Sequence, residues 1–406
     1  MKKIVFIGEW YSNNMGEPLL FCCHEKILQD ISTESISIKY LDFFGRKSRT
    51  IVDTNHLINT AREQNIPLKK KILRKIYFSL PVKVQERIIY SIGEKIHFYK
   101  RKTELSKYLI ENLADTNGVI IIGAGTLKYD VRLDFGPYYQ LITKTCKDLG
   151  IPCIVSAVGV ESFYENKDYR CRRFSKVLSD DIIKCVTTRD NIKELKLYIR
   201  NSKTEIYKIP DPGIWSSECF AIKKNTESSK IGIGIINYKR FIEFNKGITK
   251  DQYEKAIIDL IEVLESKGIE WEFFNNGSGE DARFATYLLD KVKKGSKTMI
   301  KTPESPEDLV KIISGYKGIV TSRLHSCIVA YSLDIPYIAI CWNNKLKYFS
   351  QFIGVPERVV ETDRLNSKFL EYSLKHAIEQ GYDNEKRLLY LRDVQSIMKN
   401  YLKHIQ

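Results

Sequence analysis

The sequence predicts an α/β protein of two Rossmann-like domains facing a cleft, with a basic helical insertion in the N-terminal domain. Three observations carry this. Short β-rich apolar runs alternate with amphipathic helical stretches, the pattern of parallel sheets covered on both faces. The alternation breaks once, at Pro210-Asp211-Pro212-Gly213 and the polar stretch after it. The length, 406 residues, suits two domains.

In the first series Ile4–Ile7 reads as a strand, 16–30 as a helix and 36–41 as a strand. Residues 119–122 form an apolar run closed by Gly123-Ala124-Gly125-Thr126, a strand feeding a tight loop. A helix at 137–149, a strand at 152–158 and a helix at 170–179 follow. A strand at 185–188, a helix at 191–199 and a strand at 205–209 complete the series. Residues 214–229 read as an irregular linker. The second series has strands at 230–236, 269–274, 318–321 and 336–341, with helices at 251–266, 279–292, 306–314 and 324–333. Helical stretches at 346–353, 365–380 and 384–403 close the chain. The expected domains are 1–213 and 230–380, with a terminal helix, 381–406, packing back on the N-terminal domain. In such folds ligands sit outside the carboxyl ends of the strands.

Hydrophobic residues at 43% and charged residues at 28% exclude a largely disordered chain. The net charge of +15 calls for an anionic partner. The opening MKKIVFIGEW is apolar for only five residues before Glu9, so it reads as a strand and not as a signal peptide. No run approaches 18 apolar residues. Nine scattered cysteines without a CxxC pair, and six histidines, give no zinc pattern and fit a reducing cytoplasm. No metal and no cofactor is expected.

Residues 62–107 hold 13 Lys and Arg against four acids, a net +9, so most of the excess charge lies there. In 68–80, Ile72, Leu73, Ile76, Tyr77 and Leu80 fall at helical spacing, while Lys69, Lys70, Lys71, Arg74 and Lys75 fill the other face. A basic amphipathic helix of this kind lies in an anionic membrane interface. The plain alternative is a solvated helix packed on the N-terminal domain. The arginine and aromatic-glycine patterns of RNA-binding modules are absent, so nucleic acid is not expected.

Four motifs could carry chemistry. The turn from Gly8 to Glu17, with Asn13, Asn14 and Gly16, exposes backbone N–H groups at a helix start but lacks the dinucleotide fingerprint. Gly123, Gly125 and Thr126 form a loop that reads either as a tight turn or as a ligand cover. Asp130 and Asp134 just beyond it are candidates to orient or deprotonate a hydroxyl. Arg189 ends a strand and points to the ligand crevice, and Asp190 is expected to cap the next helix. The sharpest group is Ser322-Arg323-Leu324-His325-Ser326, at a strand end and helix mouth. Arginine offers a planar fork matched to carboxylate and phosphate, histidine moves protons near neutrality, and either serine is a candidate helix cap. Lys345 follows a neighbouring strand and is placed to reach the same anion.

With these residues in order, the chain over roughly 4–360 resembles the polysaccharide pyruvyl transferase family, most specifically at Ser322-Arg323-Leu324-His325. Two positions depart: Glu17 stands where the family usually has Asp, and Ala124 interrupts a run commonly Gly-Gly-Gly. The resemblance implies a GT-B-like fold and transfer of pyruvate from phosphoenolpyruvate, as a cyclic ketal, onto two sugar hydroxyls. It implies that Arg323 and His325 hold the donor with help from Arg189. The expected donor site thus comprises Arg189, Ser322, Arg323, Leu324, His325, Ser326 and Lys345. The expected acceptor site comprises Asn13, Asn14, Glu17, Gly123, Gly125 and Thr126 in the N-terminal domain.

The expected setting is the cytoplasm, peripheral to the inner face of the cell membrane, with a lipid-linked oligosaccharide as acceptor. Two alternatives stand beside this. One is a GT-B nucleotide-sugar glycosyltransferase, although no carboxylate for a ribose follows Ser322 before Asp334. The other is a noncatalytic membrane-surface carbohydrate-binding protein.

Overall fold

The computed structural model describes residues 1–49, 82–128, 134–160, 162–163, 168–244, 246–292 and 302–405, with only the backbone course given for 82–97. The basic stretch with Lys69, Lys70, Lys71, Arg74 and Lys75, and Asp130, lie outside the described residues.

Two compact units divide the chain. The first comprises Met1–Trp10, Glu34–Lys208 and Tyr401–Gln406; the second comprises Tyr11–Thr33 and Ile209–Asn400. The division differs from the expected boundaries at both ends of the chain. The first loop and helix, expected in the N-terminal domain, go with the second unit.

The first unit is built on six parallel strands: β1 (Lys2–Gly8), β2 (Ile36–Asp42), β3 (Gly118–Ile122), β4 (Cys153–Val158), β5 (Ile183–Thr188) and β6 (Glu205–Lys208). Their order is β2-β1-β3-β4-β5-β6. β3 and β4 are buried at every residue, which explains their unbroken apolar runs, whereas edge strand β2 alternates. The long helix Val82–Leu113 covers the sheet with Phe98, Leu105, Leu109 and Leu113, all buried in the core of this unit. From Phe98 onward the insertion is therefore core-packed. The chain's last turn belongs to this unit, where the Tyr401 hydroxyl meets Ser156 Oγ at 2.9 Å and Thr187 Oγ1 at 2.7 Å.

The second unit has five parallel strands: β7 (Ile231–Gly234), β8 (Trp271–Phe274), β9 (Gly318–Thr321), β10 (Tyr337–Ile340) and the two-residue β11 (Val359–Val360). The order β11-β10-β9-β7-β8 repeats the winding of the first unit. In each unit the strand order reverses beside the unit's first strand, between β1 and β3 and between β7 and β9. That reversal opens a crevice at the carboxyl ends, where ligands bind in such sheets.

Three elements correct the sequence expectations. The expected linker contains a helix, Ser216–Phe220, continuing a 3-10 turn, Pro212–Trp215, which Asp211 opens by accepting the Gly213 N–H at 2.9 Å. A short helix, Lys239–Glu243, follows β7. Asn191, not Asp190, caps the helix Ile192–Tyr198; its side chain accepts from Lys193 and Glu194 N–H, while Asp190 accepts from Val160 N–H at 3.1 Å.

Candidate active site

β9 ends at Thr321 on the crevice side of the second unit, and the helix Leu324–Ser332 begins three residues later. Arg323 is the N-cap residue; its side chain makes no capping hydrogen bond, and its own N–H donates to Thr321 Oγ1 at 3.2 Å. Neither Ser322 nor Ser326 therefore takes the capping role expected of it. Ser326 instead donates its hydroxyl to Asn276 Oδ1 at 2.6 Å, and the Ser322 carbonyl accepts the Trp342 indole N–H at 2.6 Å. An uncapped first turn presents backbone N–H groups and the positive end of the helix to an anion.

Arg323 is aimed by a carboxylate that sequence reasoning missed. Asp281 accepts from Arg323 Nε at 2.8 Å and also from Nη2. Its other oxygen accepts the Asn237 N–H at 2.9 Å. Asp281 is 1% exposed, in the first turn of the helix Gly279–Lys291, and Asn237 follows β7. One edge of the guanidinium, Nε and Nη2, is thus fixed by Asp281, which the loop after β7 holds in turn, and Nη1 lies outside that pairing. In the sequence Asp281 is one of two acids in an ordinary helix first turn. Nothing local distinguishes it.

His325 is 5% exposed and packs on the first loop of the chain. A Cβ on Gly16 would fall 2.0 Å from His325 Nδ1, so only glycine fits there. The same loop is anchored by the Met15 N–H, which donates to the Asn276 carbonyl at 2.7 Å. Gly277 sits at φ +98° with its Cα pressed to the Asn13 carbonyl, where a Cβ would come within 2.1 Å. Asn13, Asn14 and Glu17 therefore lie in the same unit as His325, on the loop and first turn that pack against it. Lys345 lies in the first turn of the helix Asn344–Ile353, its N–H donating to the capping Asn343 side chain at 3.0 Å.

The remaining expected residues belong to the first unit and carry structural partners. A Cβ on Gly123 would meet Ser156 O and Val158 Cα at 2.5 Å, so its glycine answers the close approach of β4. Ala124 adopts φ +39°, keeping the turn despite its side chain, and its carbonyl accepts the Gly159 N–H. Gly125 completes that turn. The Thr126 hydroxyl is buried against the Gly123 carbonyl and the Tyr139 hydroxyl. Asp134 accepts the Gly136 N–H at 2.9 Å and pairs with Arg173 at 2.8 Å. Arg189 follows β5. Among the described residues no group of three or more His, Cys, Asp or Glu is placed to hold a metal ion, and no helix is long and apolar enough to cross a membrane.

Two parallel-sheet α/β units with this winding define a GT-B-like fold. Solved structures agree. UDP-GlcNAc 2-epimerase from Methanocaldococcus jannaschii superposes with a TM-score of 0.55 at 13% identity, over 99% of this chain and 100% of that one. The enzyme of the same name from Neisseria meningitidis, bound to UDP-GlcNAc, gives 0.53 at 11% identity, over 100% and 99%. S. aureus MnaA with UDP gives 0.53 at 12% identity, over 97% and 90%. No curated protein matches the chain. The polysaccharide pyruvyl transferase family matches residues 53–344, most of the chain, and the protein belongs to that family. It is a pyruvyltransferase of polysaccharide biosynthesis.

Proposed function

We propose that the donor is phosphoenolpyruvate and that the product is a cyclic pyruvyl ketal bridging two hydroxyls of a sugar. The observation that carries this reading is Arg323, fixed by Asp281 at the mouth of an uncapped helix, beside His325. Phosphoenolpyruvate brings a carboxylate and a phosphate. Arg323 Nη1 and the first-turn N–H groups of Leu324, His325 and Ser326 match them, with Lys345 of the same unit adding positive charge.

In the proposed reaction His325 supplies a proton to the methylene carbon, which becomes a methyl group, and the central carbon becomes electrophilic. One acceptor hydroxyl oxygen bonds to that carbon and gives up its proton. The carbon–oxygen bond to phosphate breaks, and phosphate leaves with the electron pair. The second hydroxyl closes the ring and gives up its proton. Of the two protons released, one balances that placed on the methyl carbon and the other leaves with phosphate. Asp134 already carries two partners, so it is not given the base role. The acceptor is proposed to be lipid-linked at the inner face of the cell membrane, on the strength of the net +9 in 62–107.

The test incubates the protein with labelled phosphoenolpyruvate and candidate lipid-linked oligosaccharides, read by mass spectrometry. A gain of one pyruvyl ketal is expected, with loss of turnover in folded Arg323→Ala and His325→Ala variants. Wild-type rates in either variant sink these roles. A parallel thermal-shift comparison with UDP tests the nucleotide-sugar alternative: stabilisation by UDP and not by phosphoenolpyruvate overturns the donor.

A further inference from the structure

Among the described residues, the buried side-chain atoms without a hydrogen-bond partner include three on the segments that meet at the Gly16–His325 contact: Asn14 Oδ1, Glu17 Oε2 and Asn276 Nδ2. Leaving such groups unpaired costs about 1–3 kcal/mol each, so their concentration in one corner needs a cause. They are neighbours by construction. Asn14 and Glu17 flank the Met15–Gly16 step, where Met15 bonds to Asn276 and Gly16 packs on the His325 ring. Asn14 Nδ2 reaches Glu17 Oε1 at 3.4 Å, and Asn276 Oδ1 is occupied by Ser326. Each of the three residues therefore has its other polar atom fixed and one atom left over. Asn276 is 1% exposed, so bulk water does not supply its missing partner.

The leftover set is two acceptors and one donor. A carboxylate and an amide oxygen repel an anion, so this corner does not suit the phosphate or carboxylate of the donor. Hydroxyls suit it: each gives a hydrogen to an acceptor and takes one from an amide. We propose that Asn14, Glu17 and Asn276 form a subsite for a pair of sugar hydroxyls, and that Glu17 Oε2 takes the proton of the attacking hydroxyl. This rests on the pyruvyl-transfer reading above. The proton leaves the hydroxyl for Glu17 as its oxygen bonds to the electrophilic carbon, while the separate proton of His325 goes to the methylene carbon. The corner assigns base and acid to opposite sides of the Gly16–His325 contact.

The probes are phosphoenolpyruvate alone and a panel of methyl hexopyranosides with free adjacent hydroxyls. Calorimetry of the wild type with phosphoenolpyruvate tests the donor reading independently: absence of binding there sinks that reading and no sugar result bears on it. The subsite is read by saturation-transfer NMR of the glycosides and by phosphate release. The wild type is expected to saturate at least one glycoside. Glu17→Gln is expected to lower turnover about 100-fold or more. Its affinity for phosphoenolpyruvate stays within about twofold and its Tm does not fall, because Oε2 has no partner to lose. Asn276→Asp, which keeps the Ser326 acceptor, is expected to abolish glycoside saturation and spare phosphoenolpyruvate binding. A wild type that saturates no glycoside, or a Glu17→Gln protein that turns over within about threefold of wild type, overturns the assignment.

Discussion

Gly16 and Asp281 each pack on or pair with one side chain of the proposed donor site, and their substitution separates positioning from packing. Gly16→Ala puts a methyl 2.0 Å from His325 Nδ1, so the ring or the loop must shift. Overpacking of this kind costs about 1–3 kcal/mol, and the displaced imidazole is expected to lower turnover at least tenfold. A Gly16→Ala protein with wild-type turnover would remove His325 from the chemistry or show that the loop adapts freely. Asp281→Asn keeps an acceptor for the Asn237 N–H but leaves Arg323, whose side chain is 13% exposed, without its counter-charge. The expected loss is about 3–5 kcal/mol of stability, seen in denaturant melts, with a raised KM for phosphoenolpyruvate. A double-mutant cycle with Arg323→Gln checks the pairing, since additive effects would mean that the two residues act independently. Arg323 and His325 were legible in the sequence because strand end, helix start and residue chemistry coincide within five positions. Asp281 was not, because its meaning arises only when β7, β8 and β9 lie side by side. Asp190, Asp134 and Thr126 show the converse: each has suitable chemistry, and each is engaged by neighbouring backbone or side chains that the sequence does not reveal.

At the scale of elements, the alternation of strands and helices was readable because fully buried parallel strands leave unbroken apolar runs. Pieces of two to five residues, such as Val359–Val360 and Lys239–Glu243, carry too few turns or alternations to register. The membership of the first helix, Gly16–Ile31, was also not legible. Its apolar face specifies burial but not the partner that buries it, and it goes with the second unit. That burial includes a titratable group. His24 lies fully inside, its Nδ1 2.7 Å from the Leu20 carbonyl, and burial lowers its pKa from the ordinary 6.5 to about 4, against small opposing contributions from that hydrogen bond and Asp211. The folded state thus prefers neutral His24. Its contribution is complete above pH 6.5 and is lost as pH falls through 6.5 toward 4, a difference of about 3 kcal/mol. Wild type is expected to lose stability across that window by chemical denaturation, and His24→Leu to lose less. Identical pH slopes for the two proteins would assign the acid sensitivity elsewhere.

For the whole molecule, the +15 divides by place along the chain, and the two shares are proposed to do different work. A few cations, Arg323 foremost, are those proposed to meet a small anion. Arg323 is paired with the carboxylate of Asp281, so it is proposed to act by direction more than by field. The larger share, +9, lies in 62–107, where Lys69, Lys70 and Lys71 form one of two runs of three consecutive basic residues. Basic residues near an anionic leaflet contribute about 1 kcal/mol each, an interaction that salt screens within a Debye length of about 8–10 Å. Changing those three lysines to glutamine removes three charges, so the membrane reading requires about 3 kcal/mol weaker binding, a fall of roughly 100-fold. The measurement is co-sedimentation with vesicles containing anionic lipid, at low and high salt. Turnover on a water-soluble acceptor fragment is expected to stay at the wild-type level, and turnover on a vesicle-borne lipid-linked acceptor to fall. Unchanged vesicle binding would mean that the charge serves something other than the membrane. A loss on both acceptors would place the three lysines in the transfer reaction itself, beyond the reach of a purely surface role.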